Sequence, residues 1–410
     1  MSSLPLSPKT SAPQLVWLAL ALSMGAALSL GVTRFAYGLL LPSMRADLGW
    51  SYTLAGAMNT VNALGYLLGA LATPGLLRRF GPTRLLLGGA LLASLFMGLS
   101  GFFSAAAPLM VQRLLAGVAS AFVFITGGLL AARLAAQAPA RAGFLLGLYY
   151  GGTGFGIVLS ALLVPVVLEA AQAVSHPWAW AWWALSLACV VATGLLVWPA
   201  LALDDRAGVG AAFAPANRLR FDWRDFSFAL AGYALFGVGY IGYMTFVIAL
   251  LREQGAGVAE VTQFYSLLGA AVILSSRVWA RLLDRFHGGQ ALSILSALLG
   301  LATLLPALTA AWPLVLVSGV LFGGVFLSIV ASTTALVRHN LPQSGWAAGI
   351  SAFTVAFAAG QIIGPVVVGW IADGPGGLGR GLGISALALW VGALLAWRQR
   401  PLAASAAGLT

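Results

Sequence analysis

The sequence contains few charged residues. Asp, Glu, Lys and Arg together make up only 8% of the 410 residues, whereas 60% of the residues are hydrophobic. A soluble domain usually carries about 25% charged residues. The composition therefore excludes an ordinary soluble protein and predicts an all-α polytopic membrane protein.

Cysteine is almost absent, since Cys189 is the only one and lies in an apolar stretch. One cysteine cannot form a disulfide or a cysteine metal site within a single chain, and we expect neither a metal nor a cofactor. The formal net charge of +11 would suggest a nucleic-acid partner in a soluble protein, but membrane topology accounts for it here. The expected partners are a small-molecule substrate and the lipid bilayer, with no nucleic acid, and the chain is expected to be a monomer.

Titratable groups are missing from the middle of the apolar segments. All ten acidic residues and all three histidines fall in connecting loops or near the ends of segments. Proton-coupled transport usually needs a titratable carboxylate or histidine on the pathway. A carboxylate relay therefore has little support. Exchange or facilitated movement of an anion fits better, although Asp47 or Glu169 near the outer mouth could still titrate.

Twelve apolar segments are long enough to cross a bilayer, which takes about 20 helical residues. They run approximately over residues 15–41, 54–77, 85–106, 108–132, 143–168, 178–203, 226–251, 263–283, 290–311, 313–337, 346–371 and 382–397. The third and fourth segments are predicted to join almost directly at Pro108. The only long polar connection follows the sixth segment.

This polar connection predicts the domain organisation. We expect a disordered cytoplasmic tail at 1–14, an N-terminal six-helix bundle at 15–203, a cytoplasmic central loop at 204–225, a C-terminal six-helix bundle at 226–397 and a cytoplasmic tail at 398–410. With a cytoplasmic N-terminus, most of the 21 Lys and Arg residues fall on the cytoplasmic side. The positive-inside rule requires this bias. Both termini are therefore predicted to be cytoplasmic, in a multi-pass protein of the inner (plasma) membrane.

The two halves look like copies of one unit. "LLRRFG" at 76–81 follows the second segment, and "LLDRFH" at 282–287 follows the eighth. The same offset aligns Gly117 in the fourth segment with Gly323 in the tenth. A repeat of half the chain is typical of transporters whose substrate site lies at the midplane between two pseudo-twofold-related bundles.

A permanent charge lies within the first apolar segment, in "GVTRFAYGLLLP" at 31–42. A charged side chain at bilayer depth costs roughly 2.5–3.5 kcal/mol on insertion scales, and such residues usually mark functional sites. Arg34 is therefore predicted to face a water-filled cavity and to bind an anion. The alternative is that Arg34 snorkels outward, or that Asn59, Asn62 and backbone carbonyls satisfy the guanidinium internally.

The other candidate site residues are polar or aromatic side chains. On the second segment, Asn59, Asn62 and Tyr66 share a helix face at about the depth of Arg34. The predicted substrate-binding set is Arg34, Tyr37, Asn59, Asn62, Tyr66, Arg113, Tyr240 and Gln361. Arg113 is equally well explained as a structural hydrogen-bond hub.

Four short motifs occupy characteristic places in the twelve-segment frame. They are "PGLLRRFGPTR" (74–84), "QRLLAGVASA" (112–121), "ARLLDRFHGG" (280–289) and "GQIIGPVVVGWIAD" (360–373). Together they resemble the major facilitator superfamily: the first and third resemble its loops after spans two and eight, the second its span-four Arg-x-x-x-Gly motif, and the fourth its eleventh span. More narrowly, "GVTRFAYGLLLP" followed by "NALGYLLGAL" (62–71) resembles the YbfB/YjiJ-type subfamily.

The resemblance implies the fold of this superfamily, with twelve transmembrane helices in two six-helix bundles and transport by alternating access. In its organic-anion carriers, a span-one arginine eight residues before a proline binds the substrate, and Arg34 precedes Pro42 by eight. The corresponding second-half position is Tyr240. Clamping of a doubly charged substrate between two arginines is therefore not implied.

Gating is expected from rocking of the two halves, with gating residues in the cytoplasmic loops. Asp284 is expected to pair with Arg338 and to close the inner side in the outward-facing state, and Arg285 and Arg79 belong to the same motif loops. In the N-terminal half Arg78 stands where the superfamily motif has an Asp, and it would repel Arg133 opposite it. The lock is therefore expected to be asymmetric between the halves.

The leading functional hypothesis is a secondary active or facilitative transporter of a small organic anion that contacts Arg34. An alternative is efflux of neutral or cationic amphiphilic compounds. A second alternative is a membrane sensor or scaffold that does not transport. An enzyme is not expected, because no cluster of His, Asp, Glu or Ser/Lys converges in the sequence.

Overall fold

The computed structural model describes residues 12–203, 222–342 and 345–402. Within these residues every regular element is a helix, and twelve helices are long and apolar enough to cross a membrane. The prediction of an all-α polytopic membrane protein is confirmed. The predicted tail at 1–14, the central loop at 204–225 and the tail at 398–410 lie largely outside the described residues.

The twelve spans begin and end near the predicted positions. They are Pro13–Leu48, Tyr52–Phe80, Pro82–Ser100, Ala106–Ala136, Pro139–Ala170, Pro177–Ala202, Ser227–Glu253, Val258–Ser275, Gln290–Leu308, Trp312–Asn340, Ala348–Ala372 and Gly377–Arg398. The predicted direct junction at Pro108 is wrong, because residues 101–105 connect the third and fourth spans. Pro108 instead lies in the first turn of the fourth span, where a proline displaces no helical hydrogen bond.

Local signals set the two ends of the second span. The Ser51 hydroxyl oxygen accepts a hydrogen bond from the Leu54 N–H at 3.1 Å and caps the first turn. The span ends at Gly81, whose φ of 79° suits glycine, and Pro82 begins the third span. A proline fits the first position of a helix because the N–H it lacks has no helical partner there.

The first span is not a continuous α-helix. Residues Ala27–Phe35 form a π-helical segment, which carries Arg34. Within it the Thr33 hydroxyl donates to the Leu28 carbonyl, five residues earlier, at 2.7 Å. π-helical turns are rare and occur frequently at functional sites. The predicted anion contact therefore lies on the one widened section of this span.

The sequence repeat corresponds to matching helix contacts in the two halves. A Cβ on Gly117 would lie 2.2 Å from the Asn62 carbonyl oxygen, so the fourth span packs directly on the second. A Cβ on Gly323 would lie 2.2 Å from the Leu268 carbonyl oxygen, so the tenth span packs in the same way on the eighth. Such close approach of backbones is the usual role of small residues between transmembrane helices.

The halves, spans one to six and spans seven to twelve, are joined at one end of the bundle. We call the end that holds both described chain ends the terminal face, and the opposite end the far face. The halves meet where the first span contacts the seventh, the second the eleventh, and the fifth the eighth. Hydrogen bonds between the halves in the described chain lie at mid-depth or nearer the far face, as from Thr60 to the Ile362 carbonyl at 2.7 Å and from Tyr265 to the Phe35 carbonyl at 2.8 Å.

Toward the terminal face a cavity lies between the halves. The first, fifth and eighth spans surround a cavity of about 750 Å³ there, lined by Leu20, Phe144 and Leu274 among others. A smaller cavity of about 320 Å³ lies at the far face, lined by Pro42, Glu169 and Arg252 among others. The two faces therefore differ in the size of the opening between the halves and in the hydrogen bonds, which lie nearer the far face.

Substitution of Gly117 tests the close contact between the second and fourth spans. We expect Gly117→Ala to lower the free energy of unfolding by about 1–3 kcal/mol, the range for overpacking a tight contact. Gly75 is the control on the second span, because a Cβ there meets nothing within 4 Å. Gly75→Ala is expected to be neutral or slightly stabilising, since Ala favours helix over Gly by up to about 1 kcal/mol. Thermal unfolding of the purified protein measures both, and equal midpoints would contradict the contact.

Candidate functional site

Arg34 is buried, with 4% of its surface exposed. Its Nε and Nη2 atoms are fully buried and have no hydrogen-bond partner among the described residues. The centroid of the Tyr66 ring lies 5.9 Å from the Arg34 Cζ. Burial of a charge without hydrogen bonds is costly. The described neighbours of Arg34 thus leave these two nitrogens without acceptors. The alternative in which Asn59, Asn62 and backbone carbonyls satisfy the guanidinium does not describe this geometry.

Arg113 is the second buried arginine, and its surroundings differ. Its Nη1 donates to the Thr33 carbonyl at 2.8 Å, and its Nη2 donates to the Asn59 Oδ1 at 3.3 Å. Its Cζ lies 4.9 Å from the Tyr37 ring centroid and 5.5 Å from that of Trp182. These are the contacts of a structural hub, one of the two roles considered for Arg113. Because Thr33 directly precedes Arg34, the hub holds the backbone that carries Arg34.

The two asparagines expected beside Arg34 bond elsewhere. The Asn62 Nδ2 donates to the Arg113 carbonyl at 2.9 Å. The Asn59 Nδ2 donates to the Thr245 Oγ1 on the seventh span at 2.7 Å, which links the two halves. Both side chains are therefore partners of the Arg113 hub.

Tyr37 also belongs to the hub. Its hydroxyl donates to the Ala55 carbonyl at 2.8 Å, and its side chain is fully buried. The predicted site residues therefore form two groups. Tyr37, Asn59, Asn62 and Arg113 form the hub, whereas Tyr66 and Tyr240 lie within electrostatic range of Arg34, and Gln361 bonds to Tyr240.

The C-terminal half presents a group of stacked aromatic rings near Arg34, which we call the aromatic wall: Phe236, Tyr240, Phe326 and Phe357. Tyr240 stacks on Phe357 with centroids 5.4 Å apart and on Phe326 at 6.0 Å. Its hydroxyl donates to the Gln361 Oε1 at 2.8 Å. The three phenylalanines were absent from the predicted set. Only Phe236 could have been found from the sequence, because it lies one helical turn before Tyr240 on the same span. Phe326 and Phe357 lie on the tenth and eleventh spans, far from Tyr240 in sequence.

The far face is closed by a cluster of polar contacts that the sequence did not predict. The Asp373 carboxylate, just after the eleventh span, accepts from the Tyr52 N–H at 2.7 Å, the Thr53 N–H at 2.9 Å and the Thr53 hydroxyl at 2.6 Å. The Tyr52 hydroxyl donates to Glu253 at the end of the seventh span. The Arg45 Cζ lies 3.8 Å from the Tyr52 ring centroid. The start of the second span is thus tied to the C-terminal half at two points.

The charge of Asp373 matters to this closure. Partial burial by itself raises the pKa of the carboxyl, but the hydrogen bonds from Thr53, Tyr52 and Ser51 outweigh it and hold the pKa below its ordinary value. A lowered pKa in the closed form means that ionisation favours closure. This contribution is present above the ordinary carboxyl pKa and is lost as the pH falls through the lowered one.

The predicted gating residues lie apart in this conformation. Asp284 forms no ion pair within the described ranges, and Arg338 lies over the Trp346 ring at 5.2 Å. Arg285 and Arg79 each lie over the phenylalanine that follows them, at 5.7 and 5.3 Å. The Asp284–Arg338 pair is predicted for a state closed at the terminal face, and it stays a prediction.

The sequence matches a family described as "Uncharacterised MFS-type transporter YbfB" over residues 26–397. No curated protein matches the chain. The matched range extends from the first span to the end of the twelfth.

Two solved structures with the same architecture are distant in sequence. The chain is similar to a bacterial homologue of the human lysosomal transporter Spinster, inward-facing and unoccupied, with a TM-score of 0.71 and 15% identity over 94% of this chain and 97% of that one. It is also similar to the nucleoside transporter NupG, with a TM-score of 0.68 and 14% identity over 94% and 98%. At such identities the likeness shows the fold, and the predicted arrangement of twelve helices in two six-helix bundles is confirmed.

Removal of the Asp373 charge is expected to open the far face. Asp373→Asn loses charge-assisted hydrogen bonds, each of which contributes about 1.5–3 kcal/mol, so the ratio of open to closed molecules should rise more than tenfold. Spin labels on cysteines placed at Ala46 and Gly374, in a Cys189→Ser background, report the separation of the halves there. In the parent protein, the fraction of molecules with a long distance between the labels should also rise as the pH falls below the ordinary carboxyl pKa of about 4.

The matched control for this experiment is Glu169→Gln, which removes an exposed carboxylate near the same face. In the described structure Glu169 makes no ion pair or hydrogen bond to the other half. Unchanged distances in Asp373→Asn, or an equal change in Glu169→Gln, would contradict the role of Asp373.

Proposed function

The chain belongs to the family of uncharacterised MFS-type transporters of the YbfB kind, and from this premise we propose that it carries a small organic anion across the membrane by alternating access. The transport is secondary active or facilitative. Arg34 contacts the anion, and Tyr66, Tyr240 and Gln361 surround it. The observation that carries this proposal is the buried Nε/Nη2 edge of Arg34, which has no acceptor among the described residues.

The electrostatics of the site favour an anion over other substrates. Arginine stays protonated in proteins, so Arg34 cannot relieve its burial by losing a proton. Arg113 lies close enough to add a like charge to the same region. An anion on Arg34 would supply the missing acceptors and offset the repulsion between the two guanidinium groups. A cation would meet an unfavourable potential from both.

The route of access follows from where the halves are joined. With the far face closed, the anion reaches Arg34 from the terminal face in this conformation. Release at the far face requires separation of Asp373 from the start of the second span. By the positive-inside rule, the arginine-rich terminal face is the cytoplasmic one, so both termini are cytoplasmic and the protein resides in the inner (plasma) membrane.

The second candidate function is efflux of neutral or cationic amphiphilic compounds. The aromatic wall favours it, because flat apolar molecules stack on aromatic rings. A cationic substrate usually requires a carboxylate in the cavity. Among the side chains that the structure describes, the buried charged ones are Arg34 and Arg113, which favours the anion.

Substitution of Arg34 tests the anion contact. Thermal unfolding of the purified protein is measured with carboxylates, phosphates and sulfonates added in turn. We expect one of these classes to stabilise the parent protein, and Arg34→Gln to weaken that binding about 10- to 150-fold, because a charge-assisted hydrogen bond contributes about 1.5–3 kcal/mol. The charge-matched control is Arg398→Gln, at the exposed end of the twelfth span. Stabilisation that survives Arg34→Gln would refute the proposal.

Substitution of Asp284 tests the proposed ion pair with Arg338, which would close the terminal face. Asp284→Asn should shift molecules toward the state open at the terminal face, by about 1.5- to 5-fold, because an exposed ion pair contributes about 0.2–1 kcal/mol. Spin labels at Gly75 and Ile350 measure the opening, and Arg338→Gln should have the same effect. Asp222→Asn is the control, because it removes an exposed carboxylate that lies just before the seventh span. Distances that do not change in either lock variant would show that no such pair forms.

A further inference from the structure

The unpartnered nitrogens of Arg34 lie on one edge of the guanidinium. Nε and Nη2 direct N–H bonds the same way, and neither has an acceptor in the described parts of the chain. Parallel N–H bonds of this kind match the two oxygens of a carboxylate in a bidentate pair. We propose that the substrate is an aromatic monocarboxylate whose carboxylate binds this edge. This inference rests on the proposed function, transport of an organic anion by way of Arg34.

The substrate carries one negative charge at the site. Among the side chains that the structure describes, the only other buried arginine is Arg113. Its two terminal nitrogens already donate to Thr33 and Asn59, and only its Nε has no acceptor. The rings of Tyr37 and Trp182 lie near its guanidinium. A second anionic group on the substrate would be buried without a counter-ion, which is costly. Dicarboxylates and phosphate monoesters are therefore disfavoured.

The body of the substrate is aromatic because the site offers ring faces. Tyr66, beside Arg34, and Phe357, in the aromatic wall, are both only partly buried. Phe357 lies nearly parallel to Phe236, with centroids 5.3 Å apart and planes at 10°, and to Tyr240 at 21°. A flat ring extends such a stack. The hydroxyl groups of a sugar would lose their water partners against the same surface.

The site also has a place for one further polar group. The Gln361 side chain accepts from Tyr240 through Oε1, which leaves its amide NH₂ as a donor. Gln361 is 4% exposed and lies on the eleventh span, in the half opposite Arg34. A carbonyl or hydroxyl oxygen on the ring, on the side away from the carboxylate, fits this donor. The bound molecule would then bridge the two halves.

Binding of small probe compounds to the purified full-length protein tests this class. The probes are benzoate, phenylacetate, cyclohexanecarboxylate, benzamide, phthalate and phenyl phosphate, each titrated calorimetrically. We expect benzoate or phenylacetate to bind, cyclohexanecarboxylate to bind about 3- to 10-fold more weakly, and benzamide, phthalate and phenyl phosphate to bind at least tenfold more weakly. Arg34→Lys keeps the charge but removes the two-nitrogen edge, and should weaken binding of the aromatic carboxylates at least tenfold.

A second pair of variants separates the ring contact from the charge contact. Phe357→Leu should abolish the preference for benzoate over cyclohexanecarboxylate while retaining carboxylate binding. Phe102→Leu, at an exposed position outside the site, should leave the preference intact.

The outcomes distinguish this inference from the proposed function. Arg34-dependent binding of phthalate or phenyl phosphate that is tighter than that of benzoate would overturn the monocarboxylate class and leave anion transport standing. Failure of both aromatic monocarboxylates to bind, while another anion binds through Arg34, would do the same. Binding of benzoate that is unchanged in both Arg34→Lys and Arg34→Gln would overturn the inference and the anion contact together.

Discussion

The organisation of the N-terminal half follows from the burial of two like charges. Arg34 and Arg113 are both more than nine-tenths buried and act on each other electrostatically. Low-dielectric surroundings make such charges costly unless acceptors surround them. The described residues supply acceptors to the terminal nitrogens of Arg113, from Thr33 and Asn59, and leave only its Nε without one. The described residues offer no acceptor to the Nε/Nη2 edge of Arg34. This asymmetry distinguishes Arg113, which has a structural role, from Arg34, which is left available for a ligand.

Arg113, whose two terminal nitrogens have acceptors, positions Arg34. Arg113 bonds to the carbonyl of Thr33, within the π-helical segment that carries Arg34. On its other side the segment packs closely on the fifth span, since a Cβ on Gly31 would lie 2.6 Å from the Thr153 carbonyl oxygen. A rigid backbone on both sides limits the movement of Arg34 toward other partners. Preorganisation of this kind keeps a binding group available.

The frame was predictable from the sequence because hydropathy over about 20 residues is a local property. The twelve spans and the unusual position of Arg34 follow from this hydropathy, and the repeat that pairs Gly117 with Gly323 follows from short motifs at a constant offset. The division of partners between Arg34 and Arg113 was not predictable, because Asn59 could reach either guanidinium from its face of the second span. The contact of Asp373 with Tyr52 and Thr53 was missed for the same reason. It joins residues far apart in sequence, and its partners are mostly backbone N–H groups that carry no sequence signal.

The same asymmetry connects binding to the movement of the halves. A ligand shifts a conformational equilibrium only through different affinities for the two states. Arg34 lies in the N-terminal half, whereas Tyr240, Phe357 and Gln361 lie in the C-terminal half, so a molecule that contacts both groups has an affinity that depends on how the halves are oriented. An anion that also relieves the repulsion between the buried arginines adds to this dependence. Asp373 and Glu253 oppose it by holding the far face closed, so the conformation reached depends on which set of contacts is stronger.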